Sequence, residues 1–401
     1  MGNMGNEAKL QPAECEARLT TTENAQPDRF WHLRAWNGMN PGAWCRLLRR
    51  GRFAIAPRRL AMAAINTVVC PLHAMLWGVQ ELVYGRRIRA TRLRHDPIFV
   101  VGHWRAGTTL LHELLALDDR LTYPRTYDCF SPNHFLVSGW LMKRWLRVLL
   151  PRRRGIDNMA LDFDRPQEDE FALCNLGLPS PYLALAFPNR AGLCSEWLDF
   201  EGVAPGELER WKRGFVWFLK CLALRDDKPV VLKSPTHTAR IRTLLELFPR
   251  ARFVHIVRDP YVVFPSTIHL TKTLSRREGL QVPRHEGLEE HVFDRLNRMY
   301  AAFDRDRPLL DDAQLCEVRY EDVVADPVDR MRTVYARLAL SDFEHVRPAV
   351  EQYAKDYRDY RTNRYEVSTR VHDEITRRWR WFAERYGYER LREGKNEGMR
   401  D

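Results

Sequence analysis

The sequence predicts an α/β protein: a central parallel sheet flanked by helices, with a helical N-terminal extension and a helical insertion. Three observations carry this. Four short apolar segments, 98–101, 230–232, 253–257 and 315–318, are each followed by a helix-periodic stretch, at 108–117, 238–248, 261–271 and 327–338. Apolar strands alternating with helices belong to parallel sheets covered on both faces. The first strand runs into a small-residue turn, GHWRAGTT, that opens a helix, the order that builds an anion cradle from backbone N–H groups and the helix dipole. The rhythm then breaks at about 119–227, an aromatic and proline-rich stretch with helical patterning near 138–150 and 205–222. An insertion of that length forms a lid or an acceptor pocket.

Taken in order, residues 1–29 are polar and acid-containing with no apolar run, so they read as a disordered tail rather than a signal peptide. Residues 30–95 form the helical extension. Within it, 60–80 is uncharged for 21 positions, LAMAAINTVVCPLHAMLWGVQ, long enough to cross a bilayer. Asn66, Thr67, Pro71 and His73 interrupt it, and arginines flank both ends, Arg58 and Arg59 before and Arg86, Arg87 and Arg89 after. That symmetry sets no orientation. The reading is a kinked helix pair, a membrane-proximal hairpin packed on the catalytic core, with peripheral membrane contact or a true span as alternatives. The last fifty or so residues are rich in Tyr and Arg and end in a helix.

The 401 residues carry a net charge of +11, and 45% are hydrophobic, which allows a sizeable core and favours anionic ligands. Arginine dominates the basic residues, and its planar fork suits phosphate and sulfate oxygens. No helix-turn-helix, zinc-finger or RNA-recognition pattern accompanies the charge, so nucleic acid is not expected as a partner. The eight cysteines are scattered, at 15, 45, 70, 129, 174, 194, 221 and 316, with no CxxC pair. They predict neither a zinc site nor a disulfide framework, but reduced thiols in a cytoplasmic protein, membrane-associated if 60–80 touches lipid.

Four motifs carry chemistry. In the first, Gly102 and Gly107 permit close backbone approach, Thr108 and Thr109 add hydroxyls, and Arg105 adds a charge. A Walker A loop would place Lys where Thr108 stands, so the turn is built for phosphate but not for Mg-ATP. The second, Lys233-Ser234-Pro235-Thr236-His237, follows a strand, at the edge where ligands of open α/β sheets bind. Lys233 can reach a phosphate or leaving oxygen and His237 can act as a base, while Ser234 or Thr236 also reads as a helix cap. The third, Arg258-Asp259-Pro260, ends a strand, and Ser266 follows on the second turn of the next helix. Arg258 and Ser266 can clamp one phosphate. The plainer alternative is an Arg258–carboxylate pair and a surface serine. The fourth, Arg319-Tyr320-Glu321-Asp322, precedes Asp326-Pro327, a helix cap and first-turn proline. Tyr320 can contact a planar base or be structural.

These four motifs, in this order and each after a strand, resemble the PAPS-dependent sulfotransferases, nearest the broad bacterial-type branch, across 96–340. The resemblance implies a P-loop NTPase-like fold for a sulfotransferase domain at 96–401. It implies transfer of a sulfuryl group from 3′-phosphoadenosine 5′-phosphosulfate (PAPS) to an acceptor hydroxyl or amine, with no metal required. GHWRAGTT matches the 5′-phosphosulfate loop, so Arg105, Ala106, Gly107, Thr108 and Thr109 would bind the donor, with Arg105 at the leaving 5′-phosphate. Arg258 and Ser266 match the 3′-phosphate pair, and Tyr320 would lie near adenine. Lys233 would assist the sulfuryl group.

The chain departs from that pattern at the base. The cytosolic members' histidine position holds Pro235 here, leaving His237 and the acidic pair Glu168 and Glu170 of DRPQEDEFAL as candidates. That acidic run also reads as a solvated helix start. Leu110 stands where cytosolic enzymes carry an adenine-stacking Trp, so stacking is expected from elsewhere, for instance an aromatic of the insertion. The acceptor is not named: Tyr123, Tyr127, Phe130, Phe135 and Tyr182 suit a carbohydrate, a lipid or a phenolic small molecule. A P-loop nucleotide kinase or NTPase, and a non-catalytic membrane-surface protein retaining the nucleotide fold, are the alternative functions.

Overall fold

The computed structural model describes residues 18–19, 34–146, 162–357 and 365–388. The expected tail at 1–29, apart from 18–19, lies outside the described residues. In chain order the strands are β1 (Arg18–Leu19), β2 (Ile98–Val101), β3 (Val231–Lys233), β4 (Arg252–Val257), β5 (Leu315–Arg319) and β6 (Tyr365–Glu366). Strands β2 to β5 form one parallel sheet in the order β3-β2-β4-β5, while β1 and β6 make a short antiparallel pair. Phe99 stands opposite both Leu232 and Phe253. All four sheet strands fall where the apolar segments predict, within a residue or two at each end.

Both sheet faces are buried, as apolar strands require. Phe99, Val101, Leu232, Phe253 and Val257 pack into the larger core, and Ile98, Val100, Val231, Val254 and Ile256 into a second one on the opposite face. The second core is covered by α3 (Thr108–Leu115), α11 (Tyr320–Ala325), α12 (Pro327–Arg337) and α13 (Phe343–Tyr357). The larger one is completed by α8 (Ile241–Leu247), α9 (Pro260–Glu278), α10 (Leu288–Asp306), α14 (Thr369–Tyr386) and the insertion. The insertion contributes α4 (Thr126–Phe130), α5 (Phe135–Leu146), α6 (Asp169–Asn175) and α7 (Pro205–Arg225). The helix expected at 238–248 is shorter, because Pro235–Ala239 forms a 3-10 turn and Arg240, at φ −124°, interrupts before α8.

The extension corrects one expectation. After α1 (Pro41–Arg50), residues Leu60–Ala90 form a single 31-residue helix, α2, with Pro71 inside it, not a kinked pair. Proline removes one helical hydrogen bond and crowds the preceding turn. Both halves of α2 are nevertheless held against the body by α1, α5 and α7, and tertiary packing overrides the local break.

Candidate active site

The first motif forms a tight turn between β2 and α3. Gly102 has φ +147°, and a Cβ there would come within 2.4 Å of the Ile256 carbonyl oxygen. Its N–H donates to Thr238 Oγ1 at 2.8 Å, tying the turn to the segment after β3. Gly107 caps α3 with φ +102°, and a Cβ would lie 2.3 Å from the Tyr320 ring. Gly107→Ala is therefore expected to lower stability by about 1–3 kcal/mol and to weaken binding of 3′,5′-ADP. Urea denaturation and calorimetry check the two effects separately. Arg105 itself sits at φ +68°, a left-handed conformation that crowds the Cβ of any L-residue against its own carbonyl oxygen.

The turn, the end of β4 and the start of α11 converge on a cavity of about 540 Å³. Arg105, Gly107, Thr108, Thr109, Arg258, Ser266 and Tyr320 all line it. Ala106 is buried beneath the turn. Arg105 Nε donates to Ser266 Oγ at 2.8 Å, and Arg258 Nη1 donates to the Arg105 carbonyl at 3.2 Å. The Arg258 guanidinium lies 4.0 Å from the centre of the Tyr320 ring. The Arg258–Ser266 spacing works because Asp259 accepts from the Tyr261 N–H and Pro260 opens α9, so the helix starts at once. Leu110 faces the same cavity, and the aromatic ring packed on the turn is Tyr320, outside the insertion.

The acidic run and the second motif interlock residue by residue. Lys233 Nζ donates to Glu168 Oε1 at 2.6 Å and to Thr109 Oγ1 at 3.3 Å. Ser234 Oγ and His237 Nε2 pair with Asp169 at 2.9 and 2.7 Å. Thr236 Oγ1 and Arg240 Nη1 donate to Glu170 at 2.8 and 2.7 Å, and Arg240 Nη2 donates to its other oxygen at 3.1 Å. Burial alone would raise the Asp169 carboxyl, but the charge and hydrogen bond of His237 outweigh it and hold the group below the usual carboxylate range.

This separates the three candidate bases. Glu168 lines the cavity; His237 and Glu170 are fully buried and do not. Neither His237 nor Glu170 reaches the cavity: His237 Nε2 is bonded to Asp169 and Glu170 to Thr236 and Arg240, contacts that fasten α6 to the segment after β3. Glu170→Ala would leave the Arg240 charge buried without its carboxylate, a loss of about 3–5 kcal/mol measurable by denaturant unfolding.

Two further side chains of this wall, Trp104 and Arg295, were given no role in the sequence, and both lie near Tyr182. Tyr182 donates its hydroxyl to Glu168, and Trp104 Nε1 donates to Tyr182 Oη at 3.1 Å. Arg295, on α10, places its guanidinium 4.9 Å from the centre of the Trp104 ring, and burial pulls its pKa down to about 10. Trp104 was visible inside the first motif; Arg295 is one polar residue of an amphipathic helix, with no local signal. Of the aromatics expected at the acceptor, Phe130 and Tyr182 line the cavity. Tyr127 and Phe135 belong to the core, and Tyr123 packs edge-on against His112.

The glycine turn after β2, Arg258 just past β4, Ser266 on α9 and Tyr320 at the start of α11 line one cavity at the end of a parallel sheet, an arrangement of backbone donors and cations suited to an anionic group. The chain belongs to the sulfotransferase family, whose sequence profile matches residues 97–345, and it is a sulfuryl-transferring enzyme. It is 46% identical over 362 residues to the omega-hydroxy-beta-dihydromenaquinone-9 sulfotransferase Stf3 of Mycobacterium bovis, covering 90% of this chain and 93% of that protein. The Mycobacterium tuberculosis protein of the same name matches equally. Among solved structures, sulfotransferase STF9 from Mycobacterium avium superposes with a TM-score of 0.64 at 17% identity, covering 86% of this chain and 92% of that one. STF1 from Mycobacterium tuberculosis gives 0.57 at 18%, covering 78% and 86%. These two share the fold.

Proposed function

We propose that this sulfotransferase draws its sulfuryl group from PAPS and passes it, without a metal, to a hydroxyl on a long apolar lipid of the isoprenoid-quinone class. The observation that carries the reading is Glu168, which stands at the cavity wall with its carboxylate held by Lys233 on one oxygen and Tyr182 on the other. The donor fits the residues present. The glycine turn packs against Ile256 and Tyr320 where a Cβ would not fit, Arg105 and Arg258 line the cavity, and Lys233 reaches its wall through Thr109 and Glu168, so the charge present suits an anionic donor. PAPS supplies an activated sulfuryl group bonded to a phosphate oxygen.

In this reading Arg258 and Ser266 hold the 3′-phosphate, Tyr320 flanks the adenine, and Thr108, Thr109 and the backbone around Ala106 and Gly107 hold the 5′ end. Arg105 stands between the two ends through its bond to Ser266. Glu168 takes the proton of the acceptor hydroxyl as its oxygen bonds to sulfur. Lys233 and the loop donors stabilise the charge left on the departing phosphate oxygen, the task a metal performs elsewhere. Phe130, Phe163, Phe171, Leu185, Leu270 and Leu274 give the cavity an apolar stretch that suits an apolar chain, beside charged residues such as Arg190, Glu286 and Asp294. The name of the 46% identical relatives, which specifies a hydroxylated menaquinone, supports the same acceptor class.

Transfer of radiolabelled sulfate from PAPS into hydroxylated isoprenoid quinones, carbohydrates and phenols, with and without EDTA, tests this. Transfer to the quinone alone, unchanged by EDTA, is the expected result. Transfer confined to sugars or phenols would overturn the acceptor class, and loss with EDTA would overturn the metal-free reading.

A further inference from the structure

Helix α2 has its polarity reversed. The polar residues that interrupt its apolar run are bonded to the body of the protein, Asn66 and Gln80 from buried positions, His73 from a half-buried one and Thr67 from an exposed one. Asn66 Oδ1 accepts from Asn37 Nδ2 at 3.2 Å, and Thr67 Oγ1 accepts from Trp44 Nε1 at 2.9 Å. His73 Nδ1 meets His134 Nε2 at 2.7 Å, and Gln80 Oε1 accepts from the Leu136 N–H at 3.0 Å. The outward face is apolar: Ile65, Val68, Leu72, Met75, Val79 and Leu82 recur at the 3- and 4-residue spacing of one helical stripe and are exposed. Val68 is 77% and Leu82 87% exposed, and Trp140 on the adjoining α5 is 89% exposed. A contiguous apolar face of that length marks an interaction surface.

Its surroundings choose the occupant. From Arg52 to His95 the chain has eight arginines and a single carboxylate, Glu81, which pairs with Arg89. Arg52 and Arg58 are exposed near one end of the helix, and Arg86, Arg87 and Arg92 at the other. A second copy docked here, parallel or antiparallel, would set arginines against arginines. An anionic lipid surface accepts both the apolar stripe and the basic ends. Packing favours a helix lying along the membrane surface over one that crosses it, since buried residues near both ends, from Met62 to Cys70 and from Gln80 to Ile88, hold it against the protein.

We propose that α2 and Trp140 form an interfacial docking surface that seats the protein on an anionic bilayer. The start of α2 adjoins the wall of the reaction cavity. The Ala56 N–H donates to the Leu280 carbonyl at 2.9 Å and Arg59 to the Arg276 carbonyl, while Ser275, Arg277 and Glu278 line the cavity. A lipid acceptor, on the function proposed above, then enters from the bilayer beside that wall.

The test is flotation of the full chain with vesicles of phosphatidylcholine, alone or mixed with phosphatidylglycerol. Wild type should float with the mixed vesicles and much less with phosphatidylcholine. Val68→Asp/Leu82→Asp, and separately Arg58→Glu/Arg86→Glu/Arg87→Glu, should each lower flotation at least about tenfold while 3′,5′-ADP binding is retained. Wild type that stays unbound, either variant floating like wild type, or a stable dimer by light scattering that Val68→Asp/Leu82→Asp dissociates would each overturn the proposal. Transfer to detergent-dispersed acceptor is scored separately. Flotation without transfer counts against the function and for the docking surface, and transfer without flotation the reverse.

Discussion

Replacing Glu168 by glutamine is expected to lower sulfuryl transfer by about 10²–10⁴-fold with 3′,5′-ADP binding unchanged. Glutamine keeps the side chain's size and can still accept from the Lys233 ammonium, which approaches Oε1 at 2.6 Å, but it cannot take a proton. The loss should appear in kcat from single-turnover transfer, and calorimetry with 3′,5′-ADP should show a folded donor site. Full activity in this variant would remove Glu168 from the proton path. The contrast with Glu170 is diagnostic. Glu170 is fully buried against Arg240, so its replacement should reduce the amount of folded protein, while the folded fraction turns over normally.

Lys233→Met should cost about 10²–10³-fold in kcat, the penalty for removing one preorganised donor from a developing oxyanion. Lys233 is only 2% exposed, and its ammonium joins Thr109 of the phosphate turn to Glu168 of the insertion. Methionine has a similar length and fills the same volume, so the change removes the charge with little disturbance of packing. If the ammonium acts on the departing oxygen, the deficit lies in the chemical step. If Lys233 only positions Glu168, a donor with a better leaving group leaves the deficit unchanged. Competition of 3′,5′-ADP should move little in either variant, because Arg105, Arg258 and Ser266 hold the nucleotide from other elements.

The sheet and the phosphate turn were legible because both are local. A run such as IFVV, apolar on both faces, has few alternatives to a buried strand, and the glycines of GHWRAGTT stand where only glycine fits, Gly107 against Tyr320 and Gly102 against Ile256. That Arg258 and Ser266 reach the same cavity was legible for the same reason, since a strand end and an immediate helix start set their spacing. The three carboxylates at 168, 169 and 170 were not separable from sequence. Adjacent acids look alike until the partners are known, and those partners, Lys233, His237 and Arg240, lie more than sixty residues away.

Helix α2 shows the same division. Its composition identified a long apolar segment edged by arginines, a property of the residues themselves. Whether Asn66, Thr67, His73 and Gln80 oppose a lipid-facing role depends on the direction in which they point. That direction is set by Asn37, Trp44, His134 and Leu136, contributed by other segments of the chain. Backbone preference and apolar periodicity act over a few residues and can be read along the chain. The choice of a hydrogen-bond partner, and with it the exposure of one carboxylate or one helix face, is made only when distant segments compete for the same buried groups.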